Sequence, residues 1–122
     1  LVSVPGAFTP TCSEQHLPGY IKHKDDIISK GIDKIYFVSV NDPFVMQEWS
    51  KSFDENDIGF IADSYGDFLN EIDAMIDLTV IGLGKRLSRF SMIIDNGLVN
   101  AIFDEEGGGL DKSKAENVLK FL

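Results

Sequence analysis

The segment that most constrains this 122-residue chain is Pro5-Gly6-Ala7-Phe8-Thr9-Pro10-Thr11-Cys12, which contains two of the four prolines and the single cysteine. The apolar stretch Leu1 to Val4 precedes it, and residues with helical spacing follow it. Proline suits the start of a helix, because its fixed φ matches the first turn and its missing N–H is not needed there. We therefore predict a strand, a tight loop and a helix that begins at the Cys12 thiol.

Cys12 and Thr9 are candidate reactive residues. A lone cysteine is usually a small buried hydrophobe without chemistry. The first turn of a helix, however, has unpaired N–H groups and a partial positive charge, and both stabilise a thiolate. Thr9 lies three residues before Cys12, so its hydroxyl either reaches the sulfur or a molecule beside it, or serves as an ordinary N-cap.

Pro5, Thr9 and Cys12 form the pattern Pro-x-x-x-Thr-x-x-Cys, which resembles the active-site motif of the peroxiredoxins. The continuation His16-Leu17-Pro18-Gly19-Tyr20 resembles the type II (peroxiredoxin-5) branch of that family. Further matches to this branch follow in the same order along the chain: Val38-Ser39-Val40-Asn41-Asp42, Glu48-Trp49 and Arg89-Phe90-Ser91-Met92. The resemblance spans nearly the whole chain and implies a thiol peroxidase in which Cys12 is catalytic.

Strand and helix patterns alternate along the chain and end in a hairpin and a helix, an order that predicts an α/β, thioredoxin-like fold with a central mixed sheet flanked by helices. Asn96-Gly97 is a strong hairpin signal between strands predicted at Arg89 to Asp95 and Leu98 to Phe103. An acidic, glycine-rich loop is predicted from Asp104 to Gly109. Residues 78–84 receive no assignment.

Other local signals mark where the helices begin, bend and end. Pro18 is expected to kink or interrupt the first helix, and Gly31 to end it. Trp49 is interpreted as a core residue. Ser113-Lys114-Ala115-Glu116 reads as a capping box before the last helix. We expect one thioredoxin-like (redoxin) domain over residues 1–122, without its N-terminal segment because the chain opens inside a strand pattern.

Composition excludes several classes of partner and cofactor. The net charge of −9 disfavours nucleic acids and anionic membranes as partners. A single cysteine excludes an internal disulfide and a cysteine-based zinc site, and His16 and His23 are about 10 Å apart along a helix, too far to share a metal ion. We expect neither a metal nor an organic cofactor, and we expect no membrane span. The expected location is an intracellular reducing compartment, either cytoplasmic or organellar.

Peroxide reduction requires more of a site than a thiolate. Lowering a cysteine pKa from about 8.5 to about 5.5 raises the thiolate fraction roughly thirtyfold at neutral pH, but lowers nucleophilicity roughly fifteen- to thirtyfold. The site must therefore stabilise the breaking O–O bond. The Thr9 hydroxyl and the N–H groups around Cys12 are candidates, and the resemblance adds Arg89, with Pro5 shaping and shielding the pocket.

Three other polar residues near these candidates are interpreted as non-catalytic. Lys85 and Arg86 precede Arg89 closely in sequence, and we expect them to form a solvated basic patch. His16 could be imagined as a base, but a thiolate that is already formed needs none. We therefore expect His16 to be structural or peripheral.

The product at Cys12 would be a sulfenic acid. Some members of the branch carry a second cysteine before the last helix, where this chain has Leu110-Asp111-Lys112-Ser113. The departure implies that glutathione, glutaredoxin or thioredoxin supplies the second thiol, and the family resemblance implies a homodimer. Two alternatives stay open: a redox sensor that passes oxidation of Cys12 to a partner, and a non-catalytic interaction domain with an inert Cys12.

Overall fold

The computed structural model describes residues 1–54, 57–106 and 109–122. Its seven described strands are β1 (Val2–Ser3), β2 (Ile35–Ser39), β3 (Ile58–Ala62), β4 (Met75–Leu78), β5 (Gly84–Leu87), β6 (Phe90–Asp95) and β7 (Leu98–Asp104). Its described α-helices are α1 (Leu17–Ser29), α2 (Pro43–Ser52), α3 (Asp67–Ile72) and α4 (Ala115–Leu119). A π-helical turn, Cys12–His16, leads into α1.

Five strands form the central sheet in the order β3-β2-β1-β6-β7. The β1–β2 and β2–β3 pairs are parallel, and the β1–β6 and β6–β7 pairs are antiparallel. Parallel neighbours need a crossover connection, which α1 and α2 supply, whereas the hairpin at Asn96-Gly97 joins antiparallel strands. The predicted mixed sheet with flanking helices is therefore confirmed.

The short strand β1 determines which residues meet at the edge of the sheet. Ser3 pairs with Val38 on one side and with Phe90 on the other. The loop that leaves β1 therefore emerges beside Arg89, the residue before Phe90. In open α/β sheets, sites form at such carboxyl ends of parallel strands.

Pro18 explains the π-helical turn that precedes α1. Proline has no N–H to donate, and its ring clashes with the carbonyl four residues earlier. The chain accommodates Pro18 with a wider turn in which the Leu17 N–H donates to the Cys12 carbonyl oxygen, five residues back. The predicted interruption is confirmed, and the helix ends as predicted, just before Gly31 with its φ of +104°.

The larger core cluster is built around aromatic rings from the central sheet and from α2. Trp49 is fully buried and packs edge-on against Phe37 and Phe60, which confirms its interpretation as a core residue. Its indole N–H donates to the Ser13 hydroxyl at 2.9 Å. The core thus holds the turn that carries Cys12.

Three parts of the fold differ from the local sequence patterns or complete them. The unassigned residues 78–84 end β4, form a 3₁₀ turn at Thr79–Ile81 and begin β5 of a separate two-stranded sheet.

The prediction of a capping box is wrong: Lys114 is the N-cap of α4 without a side-chain hydrogen bond, and Ser113 donates to Glu105 instead. Of the predicted loop from Asp104 to Gly109, residues 107 and 108 lie outside the described residues.

None of the helices in the described ranges combines the length and the apolar character that a membrane span requires.

Candidate active site

Cys12 lies in the first turns of the helical segment that starts at Pro10. The Ser13 N–H donates to the Thr9 carbonyl oxygen at 2.9 Å, which closes the first turn. Phe8, with a φ of +63°, turns the chain out of the loop and into the helix. The predicted sequence of strand, tight loop and helix start is therefore confirmed.

The structure brings Arg89 to the thiol. Arg89 Nη2 donates to Cys12 Sγ at 3.3 Å, although the two residues are 77 positions apart in sequence. The sulfur is in a dry environment, because Cys12 has 0% and Arg89 only 3% of its surface exposed. A guanidinium in this position stabilises a negatively charged sulfur through a charge-assisted hydrogen bond.

One nitrogen of the Arg89 guanidinium, Nε, makes no hydrogen bond within the described part of the chain. Arg89 Nε is the only buried side-chain nitrogen or oxygen of the described residues that has no hydrogen-bond partner. A buried cationic donor without a partner is costly, and such groups occur where a ligand or a chemical step uses them. The described residues thus supply no acceptor for the Nε–H.

His16 holds the other end of the guanidinium. Arg89 Nη1 lies 2.8 Å from His16 Nδ1, and His16 Nε2 lies 3.2 Å from the Ser113 carbonyl oxygen. Arginine only donates and a carbonyl only accepts, so the proton of a neutral imidazole is on Nε2. Burial first, and then the charge of Arg89, lower the pKa of His16 to about 3, so His16 is an acceptor for Arg89 and not a cation.

The interpretation of His16 as structural missed this contact with Arg89. His16 follows Cys12 by four residues, a spacing that places two side chains on the same helical face. That spacing was the signal in the sequence that His16 lies on the same side of the helix as Cys12. The partners 73 and 97 positions away could only come from the fold.

Three hydrogen-bond donors converge on the carbonyl oxygen of Ser113. Besides His16, the hydroxyls of Tyr20 and Ser91 each lie 2.6 Å from this oxygen. Burial of Tyr20 raises its pKa, so its hydroxyl stays neutral and can donate. The carbonyl of Ser113 is therefore a fixed point that orients the imidazole behind Arg89.

Thr9 and Pro5 lie in the loop over the site. Thr9 Oγ1 donates to the Gly6 carbonyl oxygen at 2.6 Å rather than to the sulfur, which leaves its lone pairs free to accept a proton donor. Gly6 packs closely against Thr9, because an added Cβ would lie 3.0 Å from Thr9 Cγ2 and that side chain would have to shift by a few tenths of an ångström. The buried Pro5 fixes the start of this loop.

The expectation that Arg86 belongs to a solvated patch is wrong. Its Nε donates to the Leu83 carbonyl at 2.8 Å, and its Nη1 contacts the carbonyl oxygens of Val40 at 3.0 Å and Pro5 at 3.5 Å. Arg86 therefore joins the active-site loop to the end of β2 and to the β4–β5 sheet. Lys85 is exposed, in line with its interpretation.

Asn41 gives the loop a second anchor. Its side-chain oxygen accepts from the Ala7 N–H at 3.0 Å and from the Ser39 hydroxyl at 2.6 Å.

No cluster of three or more histidine, cysteine or acidic side chains that could hold a metal ion occurs within the described ranges. What the site offers is a buried thiol, a guanidinium with a free donor and a loop hydroxyl.

Comparisons with known proteins agree with this geometry. The Redoxin family model matches residues 1–119. Peroxiredoxin-2C of Oryza sativa subsp. japonica is 48% identical over 123 residues, which cover 100% of this chain and 76% of the relative.

Solved structures extend the comparison. Reduced Prx3 from Vibrio vulnificus in complex with hydrogen peroxide matches with a TM-score of 0.95 at 43% identity, over 99% of this chain and 78% of that chain. The antioxidant protein of Plasmodium falciparum, a 1-Cys peroxiredoxin, matches with a TM-score of 0.90 at 33% identity, over 98% and 72%. With its thioredoxin-like fold, this chain belongs to the Redoxin family and is a peroxiredoxin, a thiol peroxidase.

Proposed function

We propose that Cys12 is the nucleophile of this peroxidase and that its substrates are hydrogen peroxide and small alkyl hydroperoxides. The observation that carries the proposal is the Arg89 guanidinium at 3.3 Å from a fully buried sulfur. The Cys12 thiolate attacks one peroxide oxygen, the O–O bond breaks, and the other oxygen leaves with the bonding electrons and takes up a proton. Cys12 is oxidised to sulfenic acid, and the peroxide is reduced to water or an alcohol. A buried thiol favours small peroxides.

Arg89, Thr9 and Pro5 have separate roles in this proposal. Negative charge develops on the departing oxygen, and fixed donors that meet it lower the barrier. Arg89 supplies the charge and the unpaired Nε–H. The Thr9 hydroxyl, already donating to Gly6, accepts the peroxide O–H and orients it. Pro5 shields the pocket from water.

We propose that an external thiol completes the cycle. The sulfenic acid condenses with this thiol to form a mixed disulfide and water, and a second thiol releases reduced Cys12. Two findings support this one-cysteine cycle: the sequence has a single cysteine, and the chain resembles a 1-Cys peroxiredoxin. Glutathione, glutaredoxin and thioredoxin are the candidate reductants.

A homodimer is the proposed assembly. Large apolar side chains are exposed in the loops, at the start of α2 and in the 3₁₀ turn, at Phe8, Phe44, Tyr65, Val80 and Ile81. Asn41 connects several of these loops, because it contacts Ala7 and its carbonyl accepts from Ser64. Exposed apolar patches often mark surfaces that contact another protein. In sedimentation experiments, wild type should be a dimer. Val80→Asp should weaken this dimer, whereas the control Leu98→Asp, on the β6–β7 hairpin, should not. A monomeric wild type would refute the proposal.

We propose an intracellular reducing compartment as the location, since catalysis by this route requires a reduced Cys12. One relative, Peroxiredoxin-2E of Arabidopsis thaliana, is chloroplastic, and it is 43% identical to this chain. Rapid alkylation in intact cells should trap Cys12 mostly as the free thiol. Recovery mainly as a stable disulfide would contradict this location.

The test of the activity is intact mass after one equivalent of hydrogen peroxide, quenched within seconds. Wild type should gain one oxygen that glutathione converts to a mixed disulfide, and Cys12→Ser should gain none. Repeated turnover with added thiol separates a peroxidase from a redox sensor that passes its oxidation to a partner. Oxidation no faster than that of a free thiol would refute the assignment of Cys12.

A further inference from the structure

The carboxylate of Glu105 binds the loop that precedes α4. Its Oε2 accepts from the Ser113 N–H at 2.7 Å, the Ser113 hydroxyl at 2.7 Å and the Asp111 N–H at 2.8 Å. Its Oε1 accepts from the Lys112 N–H at 3.1 Å. Three successive backbone N–H groups thus converge on one anion, an arrangement that favours negative charge.

The same contacts keep Glu105 ionised. Its partial burial by itself raises the pKa, but the hydrogen bonds from Ser113, Asp111 and Lys112 outweigh this and lower it to about 2. At neutral pH the loop is therefore held by a full negative charge, and hydrogen bonds to a charged acceptor are the stronger kind.

Ser113 transmits this constraint to the catalytic arginine. Its N–H and hydroxyl are bound by Glu105, while its carbonyl oxygen accepts from His16 Nε2. His16 in turn accepts from Arg89 Nη1 at 2.8 Å. Ser113 and His16 are both buried, so this chain of hydrogen bonds has little freedom to move.

Glu105 also contacts Arg89 directly through its backbone. The Glu105 N–H donates to the Arg89 carbonyl oxygen at 3.1 Å, beside the Phe90–Asp104 pair that ends the β6–β7 ladder. One residue thus fixes Arg89 at both ends: at its main chain directly, and at its guanidinium through Ser113 and His16.

We propose that Glu105 is a positioning residue for peroxide reduction, which holds the 111–113 loop so that Ser113 and His16 aim the Arg89 guanidinium at the sulfur. The proposal rests on the proposed function of Cys12. A misplacement of about 1 Å at a reacting centre costs about a hundredfold in rate. Loss of the Glu105 charge should therefore slow the peroxide step, which needs the aimed guanidinium, more than alkylation, in which a lower thiolate fraction is offset by a more nucleophilic thiolate.

The test compares two reactions of Cys12 in three variants. Glu105→Gln removes the charge and places an amide donor against backbone donors. Glu105→Asp keeps the charge on a shorter side chain. Glu106→Gln makes the same change in charge at the exposed neighbouring residue. Rates of sulfenic acid formation with hydrogen peroxide are measured by stopped-flow fluorescence of Trp49, and rates of alkylation with iodoacetamide by mass.

We expect oxidation by peroxide to be about ten- to a hundredfold slower in Glu105→Gln, with little change in the rate of alkylation. Glu105→Asp should recover part of the loss, and Glu106→Gln should match wild type in both reactions. An unchanged peroxide rate in folded Glu105→Gln, or an equal fall in both reactions, would overturn the positioning role. If wild type itself shows no rapid oxidation, the proposed function of Cys12 fails instead.

Should Glu105→Gln not fold at 25 °C, Ser113→Ala decides the question. It deletes one of the four hydrogen bonds to the carboxylate and leaves the Ser113 carbonyl in place. We then expect a peroxide rate about threefold lower, in line with the loss of one modest hydrogen bond, and unchanged alkylation. Equal ratios of the two rates in Ser113→Ala and wild type would contradict the proposal.

Discussion

Acidification from pH 6.5 to pH 5 should destabilise the folded protein mainly through one residue, His16. In the folded state, burial and then the Arg89 charge lower its pKa from 6.5 to about 3. Between these two values the unfolded chain binds a proton that the folded protein excludes, so stability is fully present above about pH 6.5 and is lost as the pH falls. Each pH unit in this window costs about 1.4 kcal/mol, or about 2 kcal/mol between pH 6.5 and pH 5.

This cost is large enough to measure, because domains of this size are stable by only about 5–15 kcal/mol. The assay is urea unfolding followed by the fluorescence of buried Trp49, at several values between pH 5 and pH 6. The α-amino group of Leu1, whose pKa burial lowers to about 6, changes its contribution mainly above this range. Carboxylates with ordinary pKa values change theirs mainly below it.

The decisive comparison is between His16→Gln and His23→Gln. The first variant should be less stable at pH 7, because it leaves Arg89 with a poorer partner, but its stability should vary by about 1 kcal/mol less per pH unit than that of wild type. The second changes the other imidazole of the chain, which is partly buried beside the Glu116 carboxylate, and should keep most of the wild-type slope.

Equal slopes in wild type and His16→Gln would refute the reasoning. They would mean that the folded protein protonates His16 near pH 6, and that Nδ1 is not a fixed acceptor for Arg89. An NMR titration gives an independent check, since the His16 ring resonances should not move between pH 5 and pH 8.

Three other predictions concern the chemistry and the acid stability. Arg89→Lys, which cannot contact His16 and the sulfur with one planar group, should slow peroxide reduction by about 10²–10³-fold; a change below about threefold in stopped-flow kinetics would contradict the role of the guanidinium. Thr9→Val should slow the same step by about 10²-fold, whereas Thr9→Ser, which keeps the hydroxyl, should stay within about tenfold of wild type; equal rates in both variants would argue against a role for the hydroxyl. Glu105, with a pKa lowered to about 2, contributes stability that is present above about pH 4.5 and lost as the pH falls toward 2; after allowance for solvent screening this is about 1 kcal/mol, and acid unfolding of Glu105→Gln should lack it.

Local features of the fold were predictable from the sequence because their causes are local. The helix start beside Cys12, the interruption before Pro18 and the turn at Asn96-Gly97 depend on the φ preferences and hydrogen-bonding groups of a few neighbouring residues. The strand and helix order followed from the spacing of apolar residues. Where a signal was ambiguous, as for the apolar and glycine-containing residues 78–84, no assignment was made.

Other features were decided by contacts between distant residues. The local sequence predicts that the Ser113 hydroxyl caps a helix, but in the tertiary structure this hydroxyl donates to the Glu105 carboxylate. The local sequence predicts a solvated side chain for Arg86, but its guanidinium contacts carbonyl oxygens from three parts of the chain. A hydrogen bond between distant residues leaves no periodicity in sequence, so spacing cannot reveal it.

The sequence by itself determined the single thiol, its position at a helix start and the alternation of strands and helices, because these depend on residue type and on neighbours within a few positions. Only the tertiary structure decided that Arg89 meets the sulfur, since the pairing of Ser3 with Phe90 brings together residues 77 positions apart. It also decided that His16 stays neutral, because burial and a nearby guanidinium, and not the residue type, set the charge of an imidazole.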